Sequence, residues 1–141
     1  MSFDSSQIDS IEIYKDYTYI MYILCDKTSS FYSKIKNIIN IPIVICSAAL
    51  SIMNSTNVEN TDYVKYLSTA LNLLIALSIA MLNVYKIPEK EHSFKSNSMN
   101  FLKLHNKINT EMAKSKTTMT DLDVIPIINE YNVICEYIIF H

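Results

Sequence analysis

The chain has 141 residues, a length that suits one domain. With 12 lysines, 14 acidic residues and a net charge near −2, it offers no electrostatic case for a nucleic-acid partner. It contains no glycine, which excludes the Gly-rich phosphate loops of nucleotide-binding proteins and favours long helices over hairpins of strands. Half of the residues are hydrophobic, yet mean hydropathy is only +0.14, an average of two apolar segments and polar flanks. The three cysteines, Cys25, Cys46 and Cys135, are scattered and form no CxxC pair, so neither a disulfide framework nor a zinc site is expected. Arginine is absent while Ile, Asn, Lys and Tyr are abundant, a bias of the kind AT-rich genomes produce.

Residues 1–12 are read as a flexible start. They are polar, with Asp4, Asp9 and Glu12, no early basic cluster and no apolar run, so they do not form a signal peptide. Residues 13–36 are predicted to form an amphipathic helix, with Ile13, Tyr17, Ile20, Leu24, Phe31, Ile35 and Ile38 on one face at spacings of three, four and seven. The polar run Asp26-Lys27-Thr28-Ser29-Ser30 interrupts this face and is a place to bend or break the helix, with Ser29 or Ser30 able to cap a second helix that continues into the membrane.

Residues 37–58 and 66–85 carry no charge within their apolar cores. Each is long enough to cross a bilayer, which takes about 20 residues at about 1.5 Å each. Pro42 lies about one turn inside the first span; it either kinks the helix or marks a restart at its first turn. The connecting residues 59–65 are polar, and Asn54-Ser55-Thr56 matches a glycosylation sequon that sits too close to the expected membrane surface to be read as modified. Lys27, Lys34 and Lys36 precede the first span and Lys86, Lys90, Lys95 and Lys103 follow the second, against Lys65 in the loop. The positive-inside rule then puts both termini in the cytoplasm, with Tyr32, Tyr63, Tyr66 and Tyr85 as interfacial aromatics.

Residues 86–113 are predicted to be a cytoplasmic helix whose junction with the span is kinked at Pro88. Its narrow stripe of Phe94, Phe101, His105, Ile108 and Met112 is a candidate interaction surface. Lys114–Thr118 reads as a linker. Residues 120–141 then form a second amphipathic helix that starts at Thr120 with Asp121 and Asp123 in its first turn; Glu130 and Glu136 argue against a third span. The fold class is therefore all-α: a two-transmembrane helical hairpin with an amphipathic N-terminal helix and cytoplasmic C-terminal helices.

Within the spans, Thr69, Asn72, Ala76, Ala80 and Asn83 share an arc of the second helix, and Ser47 and Ser51 form a small-xxx-small pair in the first. Small residues let helices approach and Asn bonds across them, so this face packs the two spans together or packs neighbouring hairpins; a sharper reading makes Asn72 and Asn83 the lining of a polar path in an oligomer. Glu89-Lys90-Glu91-His92 does not converge on one face and reads as a solvated juxtamembrane segment. No nucleophile–base pair, metal set or cofactor site can be named, so the chain is read as a non-enzyme without cofactors.

The layout, with Lys86-Ile87-Pro88-Glu89-Lys90-Glu91-His92-Ser93-Phe94-Lys95 and Phe101-Leu102-Lys103-Leu104-His105-Asn106-Lys107-Ile108 after the second span, resembles the SLATT group of two-transmembrane domains associated with SMODS and SLOG proteins. The resemblance covers roughly Tyr14–Ala113. It implies an oligomeric helical membrane protein, of the kind found in bacteria and in large DNA viruses; bacterial members are proposed pore-forming effectors of nucleotide-triggered conflict systems. This chain shows no sensor or nucleotide-generating domain. The leading expectation is a viral membrane or virion-associated structural protein in a bilayer, forming homo-oligomers beside a capsid or membrane-protein neighbour. A pore-forming effector is the second expectation, and a soluble bundle with the two apolar helices as its core the third.

Overall fold

A computed structural model describes residues 5–55, 62–118 and 125–140. Four helices account for these residues apart from a two-residue turn: α1 (Ser5–Ser55), α2 (Asp62–Val84), α3 (Ile87–Thr118) and α4 (Ile125–Phe140). The chain divides into two compact units. One comprises Met1–Ser29 and His92–His141; the other comprises Ser30–Glu91.

Several expected boundaries move. The flexible start is helical from Ser5, and the polar run at Asp26–Ser30 does not interrupt α1. Thr18 shows why polar residues fit here: its hydroxyl donates to the Lys15 carbonyl at 2.8 Å, so the helix itself satisfies it. Pro42 is inside α1, which neither ends nor restarts there. The linker expected at Lys114–Thr118 is the last part of α3, and α4 begins at Ile125 with Pro126 in its first turn, where a missing N–H removes no helical bond. The sequon's Thr56, the loop residues 59–61 and the helix start expected at 120–123 lie outside the described residues.

The junction between α2 and α3 is made by Lys86 rather than Pro88. Lys86 has φ 50°, the left-handed conformation that commonly ends a helix at a glycine. The Tyr85 amide donates to Met81 and the Lys86 amide to Asn83, both at 3.1 Å, closing α2. The Lys86 carbonyl accepts from the Lys90 amide at 2.9 Å, opening α3. Pro88 therefore falls in the first turn of α3, where its ring costs nothing, and Glu89 beside it complements the helix dipole.

In the first unit, α1, α3 and α4 enclose a core of Ile11, Leu104, Ile108 and Ile127, with Met112, Tyr131 and Ile134 against it. Phe101 is fully buried, and its ring lies 6.1 Å from Tyr131, which in turn meets Tyr14 edge-on at 5.5 Å. The other buried positions carry short side chains: Thr18, Cys25 and Ser29 on α1, and Asn97 and Ser98 on α3. Short side chains let helix axes come close, and Ser98, like Thr18, returns its hydroxyl proton to its own helix, to Lys95 at 2.9 Å. Asp26 pairs with Lys95 at 2.8 Å, and Lys107 pairs with Glu130.

Candidate functional site

The second unit consists of α1 from Ser30, α2 and the opening turn of α3. Every shielded position of α2 falls on one row: Val64, Ser68, Leu71, Ile75, Ser78 and Leu82, with a four-three alternation. The shielded positions of α1 in this unit include the matching row Tyr32, Lys36, Ile39, Ile43, Cys46, Leu50 and Met53. Rows with this four-three spacing are of the kind that interlock as knobs into holes, and they carry the shielded side of each helix. The chain reverses between them: Lys36 near the start of this stretch of α1 bonds Glu91, just beyond α2, at 2.8 Å, and the Lys90 ammonium sits 5.9 Å from the centre of the Tyr32 ring.

Much of the rest of the unit's surface is apolar and uncovered. Ile38, Ile41, Val44, Ile45 and Ile52 on α1, and Leu73, Leu74, Leu77 and Val84 on α2, are all more than half exposed. Two helical stretches are long and apolar enough to cross a membrane, and only 6% of the most apolar window of each is buried. A core helix of a soluble protein would have most of that window buried, so these helices are not the core of a bundle made by this chain alone.

The residues singled out from sequence divide sharply. Ser47, Ser51, Thr69, Asn72, Ala76, Ala80 and Asn83 are all exposed, off the shielded rows, and the shielded side of α2 is the Val64–Leu82 row. Within α2, Thr69 donates to the Lys65 carbonyl at 2.9 Å and Ser78 to Leu74 at 2.8 Å. Among the described residues nothing pairs with the Asn72 carboxamide.

The stripe on α3 is not an open interaction surface. Phe101 and Ile108 are fully buried, and Phe94, His105 and Met112 are half-buried within the first unit. His105 lies at 3.2 Å from the Lys15 carbonyl through Nδ1 and at 3.0 Å from Asn109 through Nε2, with its ring 5.4 Å from that of Tyr19. Since a carbonyl only accepts, Nδ1–H is the donor to Lys15, and His105 is a structural strut between α1 and α3. Burial raises the Cys25 thiol, and the Cys135 thiol raises it further. Tyr131 is pushed up to about 12 by burial and then by its hydrogen bond with Cys135. No group of three or more His, Cys, Asp or Glu among the described residues could hold a metal ion.

Of Glu89-Lys90-Glu91-His92, Glu91 and Lys90 tie α3 to α1 as above, Glu89 lies 3.9 Å from Lys86, and His92 is exposed. Sequence reasoning missed the Lys86 turn, for which a positive-φ position without glycine leaves no signal. It also missed the inner rows, whose polar members Lys36, Ser68 and Ser78 hide them from an apolar pattern. Comparison of the chain with protein-family models, characterised proteins and solved structures gives no match.

Proposed function

We propose that this chain is a non-enzymatic integral membrane protein that works as a structural or interaction component through helix–helix assembly. The observation that carries this reading is the exposed apolar surface on both helices of the second unit. On this reading residues 37–58 and 66–85 form a membrane hairpin, with both termini on the cytoplasmic side. Lys34, Lys36, Lys86 and Lys90 near the base, against Lys65 near the tip, support that orientation. The resemblance to SLATT domains and the AT-rich composition support a source in a large DNA virus, with the protein in a virion or host internal membrane beside a capsid or membrane-protein neighbour.

The test is fractionation of the expressed full chain with an alkaline carbonate wash. The protein stays with the membrane pellet and enters solution only with detergent; recovery in the aqueous fraction sinks the reading. A second reading, a pore-forming effector, draws on the outward-facing Thr69, Asn72 and Asn83, and ion leakage from protein-bearing vesicles is its signature.

A further inference from the structure

Read as a membrane span, α2 holds a polar side chain well inside the bilayer that the described residues leave without a hydrogen-bond partner. Asn72 is the seventh residue of the uncharged stretch 66–85, about 5 Å from its midpoint and so well within a hydrocarbon core about 30 Å thick. The hydroxyls of Thr69 and Ser78 are satisfied by carbonyls one turn back. The Asn72 carboxamide, with two donors and an acceptor, is not, and the hydrocarbon core supplies no water. Asn83 differs, because it sits next to the end of the helix beside Tyr85, where water and headgroups reach it.

The face around Asn72 is built for another helix. Thr69, Ala76 and Ala80 lie within about 80° of it on a helical projection and carry little bulk. The face is centred about 120° round the helix from the shielded row, so a contact there leaves that row undisturbed. The occupant follows from depth and chemistry. Copies inserted the same way present Asn72 at the same depth, and a carboxamide, donor and acceptor at once, complements itself across a two-fold axis along the membrane normal.

We propose that two copies of this chain pair in the bilayer through α2, with the Asn72 carboxamide of each hydrogen-bonded to that of the other. This rests on the membrane reading above. The test is energy transfer between donor- and acceptor-labelled full-length chains in phosphatidylcholine vesicles, followed as the lipid-to-protein ratio rises. Transfer fits two copies; Asn72→Leu weakens association about tenfold, while Asn83→Leu changes it by less than about twofold. A second measurement does not depend on how the leucine variant behaves. With the three native cysteines replaced by alanine, Asn72→Cys cross-links under oxidation by a copper–phenanthroline complex, and Leu74→Cys does not. A chain that the carbonate wash releases overturns both this pairing and the membrane reading. A chain that stays embedded while Asn72→Leu leaves transfer unchanged overturns the pairing alone. So do assemblies larger than two that leak ions.

Discussion

Lys86 shows how one residue stands in for a missing residue type. A helix that must stop and restart within two residues needs a left-handed position, and a chain without glycine fills it with a side chain that pays a steric cost. Lys86→Gly relieves about 1 kcal/mol and gives up only an exposed contact to Glu89 at 3.9 Å, so it raises or preserves the denaturation midpoint in detergent. Lys86→Val, with branching at Cβ, lowers it by about 1–2 kcal/mol. Tyr131 makes a different demand. Its phenol holds its proton up to about 12 in the folded chain, whereas an unfolded tyrosine loses it near about 10. The folded state therefore binds the proton more tightly. The resulting stability is complete below about pH 10 and drains away between about pH 10 and 12, and Tyr131→Phe removes that part of the alkaline loss in a pH-dependent melt.

At the scale of the element, α1 carries two competing rows. The bulky residues Ile13, Tyr17, Ile20 and Leu24 give the strong periodic signal, yet each is about half exposed. The row that packs is two positions out of step and uses Ile11, Thr18, Cys25 and Ser29. Hydrophobicity picks the first row; close approach of helices picks the second, because small side chains let α3 come near and the Thr18 hydroxyl is already satisfied. Cys25→Leu overfills the seam and destabilises the first unit by about 1–3 kcal/mol. Ile20→Ser, on the half-exposed row, costs only about 1 kcal/mol in the same chemical melt, the buried half of an aliphatic side chain.

At the scale of the whole molecule, the second unit governs where the protein resides. Taking an aliphatic side chain fully out of water gains about 1.5–3 kcal/mol, so covering even half of the exposed Ile, Leu and Val surface of α1 and α2 in that unit is worth about 5–10 kcal/mol. That is comparable to the whole net stability of a typical domain, about 5–15 kcal/mol, and it is the term that the proposed bilayer location draws on. On the membrane reading proposed above, this is why the protein is expected to stay in the pellet through the carbonate wash. The first unit needs no such cover for its centre: Phe101, Leu104 and Ile108 are buried by the chain itself.

Much of this was legible in the residues. Missing glycine and long apolar runs dictate helices, and uncharged stretches near 20 residues dictate lengths that can cross a bilayer, because backbone groups pair locally and apolar length is a property of the chain. Which face of each helix turns inward was not legible. In the spans nearly every face is apolar, so periodicity cannot choose between the Val64–Leu82 row and the Asn72 face. In α3 the stripe at Phe94, Phe101, His105, Ile108 and Met112 was found but not its role, since a stripe looks the same whether a partner or the chain's own helices cover it. Only the tertiary structure decides these, because burial depends on what lies opposite. It places α1 and α4 against that stripe and leaves the Asn72 face bare.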